Sequence, residues 1–295
     1  LNGITDITLD ELKEKLALAK YIADDHIVVP LFLALKLQKP LLITGAAGVG
    51  KTEIAKVLAE IFDMDLIRLQ CYEGLDENKA LYEWNYQKQL LHIQNKNVCG
   101  DTDIFSEDYL LSRPVLKALR AGEKSVLLID EIDKTDAEFE AFLFEVLSDF
   151  QVSVPELGTV KAKHIPIVVL TSNGERELSD GMKRRSVFLH ITYPSLEKEI
   201  AIINAKVPQL GSELTRQLAR GTAYLRNELS LRKEPSIAET LDWANSLLQF
   251  NVDRITEKLI DDTMNLVLKD EEDFEEFNKN GGAGRMLRAM TADHT

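Results

Sequence analysis

The sequence predicts an α/β fold, a parallel sheet core followed by a C-terminal helical lid. Three observations predict it. Residues 40–44, 125–129 and 165–170 are short, nearly unbroken apolar runs, the pattern of strands buried on both faces. Each run ends in glycine or polar residues, the places where open α/β sheets bring ligand-binding groups together. Beyond residue 194 the apolar spacing becomes helical, and no further strand is read.

The chain has 295 residues, enough for one large or two modest domains. We divide it into a core over residues 1–193 and a helical lid with an acidic tail over residues 194–295. Residues 8–23 read as an amphipathic helix capped by Thr8 and Glu11. Ile27, Val28 and Val29 precede the first strand, and core packing accounts for them.

Gly45-Ala46-Ala47-Gly48-Val49-Gly50-Lys51-Thr52 follows the first strand and fits G-x-x-x-x-G-K-[ST] at every fixed position. A helix follows, with Ile54, Val57, Leu58 and Ile61 on one face. Glycines let the backbone turn and approach a phosphate closely, and helix-terminal N–H groups favour an anion. Lys51 is expected to reach the outer phosphates and Thr52 to ligate Mg²⁺.

The second strand delivers Asp130 and Glu131. Asp130 is the expected magnesium carboxylate, and Glu131 the general base that polarises an attacking water. Asp133 is a further acid beside them. Thr135 and Glu138 form a capping box, and Phe139, Phe142, Leu143, Val146, Leu147 and Phe150 make a core-facing stripe. The third strand ends in Thr171-Ser172-Asn173. The Asn173 amide is placed to bind the attacking water or the γ-phosphate, the other reading being a turn residue before Gly174. Together these residues describe a site for ATP, Mg²⁺ and an activated water, which is the site of an ATPase.

The loop, the Asp-Glu pair and Thr171-Ser172-Asn173 resemble an AAA+ ATPase in order and spacing. Residues 138–150, Pro155-Glu156-Leu157-Gly158 and Arg176-Glu177-Leu178-Ser179-Asp180 resemble the MoxR-type branch, and within it the ATPases of carbon monoxide dehydrogenase maturation. The resemblance covers roughly residues 15–250. It implies a P-loop NTPase fold with Walker residues Lys51, Thr52, Asp130 and Glu131 and a first sensor at Asn173. It also implies an arginine finger in Lys183-Arg184-Arg185, with Arg185 the better match and Arg184 the second. The resemblance implies a hexameric ring, which a finger that acts on a neighbouring subunit requires. The resemblance further implies a von Willebrand factor A domain adaptor and a metalloenzyme client, and it lets Ile27–Val29 pack on adenine.

Two positions depart from the branch. Ala46-Ala47 replaces its common acid-proline pair, which leaves backbone contacts intact. No arginine opens the helix near Ser236, so the second sensor is sought in Arg232 and Lys233, with solvated loop charges as the equal alternative.

The rest of the chain bounds the function. Helices are expected over residues 195–207, 214–227, 236–250 and 253–268. An acidic segment over 269–277 reads as a solvated face, and Gly281-Gly282-Ala283-Gly284 as a turn before a basic helix from Arg285. Residues 72–94, with Tyr82, Trp84 and Tyr86, read equally as a core cap or a partner-facing insertion. Residues 150–164 read as a hairpin. The net charge of −14 opposes a general nucleic-acid binder. No membrane span or signal peptide is read, and Cys71 and Cys99 lack metal or disulfide-framework spacing, so a cytoplasmic place is expected. The leading expectation is a chaperone-like ring ATPase that remodels or matures a client metalloenzyme. The alternatives are a nucleic-acid motor or loader on the same fold, and a nucleotide-gated scaffold, against which an intact Glu131 argues.

Overall fold

The computed structural model describes residues 4–94, 107–154, 158–250, 252 and 254–292. Two compact units are distinguished. The first comprises residues 1–15, 24–45 and 51–190, and the second residues 16–23, 46–50 and 191–295.

At the N-terminus, α1 (Leu9–Leu18) opens on the expected capping box: Thr8 N–H donates to Glu11 Oε2 at 2.8 Å and Glu11 N–H to Thr8 Oγ1 at 3.2 Å. The helix is shorter than its apolar pattern, because Lys20 turns left-handed and Tyr21 N–H closes on the Leu16 carbonyl. The next segment was expected only to lead into the first strand, yet it forms α2 (Asp25–Leu37), capped by Asp24, whose carboxylate accepts from Ile27 N–H. Ile27 and Val28 are buried on this helix.

Next come β1 (Leu41–Thr44), α3 (Lys51–Phe62) and β2 (Asp65–Gln70). Residues 72–94 hold α4 (Glu77–Leu81), β3 (Tyr82–Trp84) and α5 (Tyr86–Gln94). Then follow β4 (Leu110–Ser112), α6 (Pro114–Arg120), β5 (Ser125–Asp130) and α7 (Ala137–Asp149). A hairpin of β6 (Gln151–Val154) and β7 (Gly158–Lys161) precedes β8 (Ile167–Ser172), α8 (Asp180–Arg185) and β9 (Val187–His190). The expected hairpin is present in its two strands; Pro155, Glu156 and Leu157 of its tip lie outside the described residues.

The expected parallel sheet is formed. Its order is β2-β5-β8-β1-β9, and every pairing is parallel. The registers fix what meets at the C-terminal edge. Thr44 pairs with Ser172, Gln70 with Asp130, and Ile129 with Leu170, so Thr171 stands beside Asp130. β5 is buried along its whole length, as its unbroken apolar run requires. Trp84 lies in the apolar cluster beneath this sheet, edge-on to Tyr82 at 6.0 Å, so it caps the core. Tyr86, Leu90 and Leu91 of α5 remain exposed.

The cap of α7 differs from expectation. Asp136, not Thr135, accepts the Phe139 N–H, and the Thr135 hydroxyl donates to the Ile132 carbonyl instead. Thr135 is buried beside a 3-10 turn over Ile132–Lys134, which puts the helix start one residue later.

The second unit carries α9 (Leu196–Lys206), α10 (Ser212–Glu228), α11 (Ile237–Phe250), α12 (Glu257–Thr263), α13 (Glu271–Lys279) and α14 (Gly282–Thr291). Their inner faces share one apolar cluster around Trp243, Leu218, Leu225 and Met286. Inside it Arg226 forms a fork on Glu199, with Nη1–Oε2 at 2.7 Å and Nη2–Oε1 at 3.0 Å, and Thr222 and Thr240 donate to the same carboxylate. The acidic segment is more than a solvated face. Asp273 is buried and accepts the backbone N–H groups of Arg232 and Lys233, and Phe277 joins the core. The glycine run opens α14 itself, so the expected turn is only its first residue, Gly281.

Candidate active site

Three strand ends of the first unit, β1, β5 and β8, bring the chemistry together. The loop after β1 is shaped by its glycines. Gly48 and Gly50 have φ of 75° and 94°, and a Cβ on Gly50 would meet no atom within 4 Å. The conformation itself therefore calls for glycine there. Lys51 opens α3 and is buried. Its ammonium donates to the Gly45 carbonyl at 2.8 Å and to Asn173 Oδ1 at 2.7 Å. Burial holds that ammonium below the ordinary lysine range, against the opposing pull of Asp133, Asp130 and Glu131.

Asp130 is buried at the end of β5. Its Oδ1 accepts from Thr52 Oγ1 at 3.0 Å and from Thr171 Oγ1 at 2.5 Å. Its Oδ2 accepts from Arg68 Nε at 3.1 Å and Nη2 at 2.6 Å. Glu131 follows in a left-handed conformation, φ 58° and ψ 50°, uncommon for a residue with a Cβ. Its N–H donates to Thr171 Oγ1 at 2.9 Å, which holds the turn. Its carboxylate accepts from Gln70 Nε2 at 2.9 Å, Lys134 Nζ at 2.7 Å and Asn173 Nδ2 at 3.4 Å. That bond to Glu131 is the main cause that raises Lys134 above the ordinary lysine range.

Asp133 supports Asn173 from below. One of its oxygens accepts the backbone N–H of Asn173 at 3.0 Å and of Glu175 at 2.9 Å. Of the expected residues, Lys51, Thr52, Asp130, Glu131 and Asn173 thus form one hydrogen-bonded group. Arg68, Gln70, Lys134 and the bridging hydroxyl of Thr171 belong to it and were not assigned from the sequence. The parallel registers of β2 and β8 against β5 are what bring Gln70 and Thr171 to this edge.

Arg184 and Arg185 do not join this group within the chain. Both are exposed at the end of α8. The Arg185 guanidinium lies 4.0 Å from the Phe144 ring centroid and donates to Ser148, both on α7. The start of α8 is tied to α7 by buried Glu140, which accepts the Ser179 N–H at 2.7 Å and Arg176 Nη2 at 3.0 Å. Lys233 and Arg232 lie in the second unit. Lys233 is exposed, and Arg232 pairs with Glu272 at 3.2 Å and Asp270 at 3.6 Å.

The donor set suits magnesium. Thr52 and Asp130 offer hard oxygens 3.0 Å apart, and Mg²⁺ commonly takes one or two protein oxygens with substrate phosphates and water. Among the described residues no cluster of three His, Cys, Asp or Glu offers an all-protein cage, and such a site does not need one.

Residues 40–186 match the AAA domain of the dynein-related subfamily, and this segment spans all three strand ends. The matched segment, with its parallel five-stranded sheet, has the AAA+ P-loop fold. Relatives of the chain include the chaperone protein ClpB of Mycoplasma genitalium, 27% identical over 190 residues, or 59% of this chain and 25% of ClpB. An uncharacterized protein of Staphylococcus aureus is 29% identical over 165 residues, or 53% of this chain and 57% of that protein. The chain thus spans a quarter of the one and a little over half of the other. Two mutants of RuvB from Thermotoga maritima share the fold, each with a TM-score of 0.50. They are 17% and 19% identical, over 95% and 93% of this chain and 77% and 74% of theirs. AAA+ ATPases use ATP and typically Mg²⁺. Among the described residues no helix is long and apolar enough to cross a membrane.

Proposed function

We propose that this chain is a ring-forming ATPase that couples Mg-ATP hydrolysis to chaperone-like remodelling, or cofactor maturation, of a client metalloenzyme. The observation that carries the ATPase part is the convergence of Lys51, Thr52, Asp130, Glu131 and Asn173 at one sheet edge. Lys51 binds the outer phosphates through its ammonium. Asn173 orients the attacking water by its amide, and Glu131 takes the proton that the water gives up. Magnesium, when held by Thr52 and Asp130, would offset phosphate charge. Residues 45–50 cradle the phosphates by their backbone N–H groups, and Lys233, in the lid that we take to begin at residue 194, is our choice for a nucleotide-binding second sensor.

AAA+ proteins usually assemble as rings. The exposed guanidinium of Arg185, with Arg184 as the second choice, is suited to act on a neighbouring subunit's nucleotide, and a hexamer is our reading of the ring. The chaperone ClpB supports remodelling as the kind of work. The MoxR-type wording of residues 138–150 and 176–180 supports a metalloenzyme client with a von Willebrand factor A domain adaptor, and two cysteines without framework spacing support a cytoplasmic place. The net charge of −14 disfavours a nucleic-acid motor or loader.

The test is ATPase rate against protein concentration, with oligomer mass recorded alongside, for wild type, Glu131→Gln and Arg185→Ala. Specific activity should rise with assembly. Both variants should bind ATP and lose at least about a hundredfold in rate, in the range of an arginine finger or general base. A rate independent of concentration, with Arg185→Ala as fast as wild type, would overturn the shared-site reading. Strong salt-dependent binding of a single-stranded oligonucleotide would favour the motor instead.

A further inference from the structure

The Asp130 carboxylate is saturated by the protein. A carboxylate has about four lone-pair positions, and this one accepts four hydrogen bonds. Two come from hydroxyls that can rotate, those of Thr52 and Thr171. The other two come from the planar fork of Arg68, whose guanidinium is a fixed cation. The partners differ in freedom: the Arg68 side chain is 53% exposed and that of Asp130 only 4%. A buried carboxylate stripped of its counter-charge is strongly disfavoured, whereas a half-exposed guanidinium can move into water at little cost. Arg68 Nη2 also donates to Gln70 Oε1 at 2.5 Å, and Gln70 Nε2 donates to Glu131, so the guanidinium begins a chain that ends on the proposed base.

We propose that Arg68 is the resident cation of Asp130, and that the divalent cation entering with ATP competes with it for that carboxylate. The guanidinium neutralises and shapes the carboxylate, and it raises the magnesium concentration at which the site fills. Release of Arg68 also withdraws a partner from Gln70 on the same strand, so occupation of Asp130 is reported through Gln70 to Glu131. This rests on the reading of Asp130 as the metal-binding carboxylate.

The test is binding of a fluorescent ATP analogue to the full chain, followed by anisotropy across a magnesium titration. Wild type, Arg68→Gln, Arg68→Lys and Asp130→Asn are compared, with thermal melting in chelator as a second readout. Arg68→Gln should need about fivefold less Mg²⁺ for half-maximal binding, the scale of a half-exposed ion pair. It should also melt below wild type in chelator, with the gap closing when Mg²⁺ and nucleotide are added. Arg68→Lys, charged but unable to form the fork, should fall between. An unchanged or higher magnesium requirement in Arg68→Gln would overturn the competition and leave Arg68 as a support for the carboxylate. If Asp130→Asn keeps the wild-type magnesium dependence, the metal reading of Asp130 itself fails, whatever Arg68→Gln does.

Discussion

One hydroxyl, that of Thr171, shapes both members of the Asp130–Glu131 pair: it donates to Asp130 and accepts the N–H of Glu131. Valine has nearly the same shape without the hydroxyl, so Thr171→Val removes both bonds and leaves the partly buried Glu131 N–H unmatched. We expect a loss of about 1–3 kcal/mol in urea unfolding and a fall in ATPase rate, with Thr171→Ser recovering most of both. Cys71 is a second case where surroundings decide chemistry. Burial pushes its thiol from 9.0 up to about 12, so it stays protonated and unreactive near neutral pH. In the unfolded chain the thiol ionises near its ordinary value. The linkage therefore leaves stability unaffected below about pH 8 and lowers it as pH rises from there toward 12. Labelling at pH 8 followed by mapping should find Cys71 modified only after denaturant is added. Modification of the native protein at the rate seen in denaturant would contradict its burial.

Among elements, α8 illustrates how a short helix gains a fixed place. Six residues are too few to be stable alone, and the helix relies on the Ser179 cap and on Glu140 of α7. Glu140→Gln keeps one acceptor but loses the charge facing Arg176. We expect about 1–3 kcal/mol of destabilisation, and a loss of the Arg185-dependent rate without loss of nucleotide affinity. A variant with weakened nucleotide binding and an unchanged rate per bound site would contradict this division. Element boundaries were only partly legible. Asp136 and Thr135 are adjacent and both are good caps, so local pattern could not choose between them; burial of Thr135 did. The helix α2 was missed because its apolar residues nearly surround it, which hides the one-sided stripe that marks a surface helix.

At the scale of each whole unit, different forces close the two cores. The first relies on strand registers and apolar packing beneath the sheet. The second encloses a buried Arg226–Glu199 pair among its helices, with exposures of 6% and 1%. Arg226→Met should cost about 3–5 kcal/mol in a denaturant melt, because Glu199 keeps its charge without a cation. Replacing both partners with apolar residues of similar size should recover much of the loss. If the single variant melts like wild type, the pair does not hold the unit.

The sequence by itself determined the α/β class, the phosphate loop, the acidic pair and the polar tip at Asn173. Each is written in consecutive residues, as an apolar run of strand length with its chemistry at the end. It did not reveal that β2 lies beside β5, or that Arg68 and Gln70 reach the acidic pair, since 62 residues separate Arg68 from Asp130. Nor did it reveal that Asp273, in a run that reads as solvated acid, is buried and holds the 232–233 turn. Strand order and burial depend on which distant segments pack together. Local periodicity carries the face a residue occupies, and only tertiary structure decides what lies opposite that face.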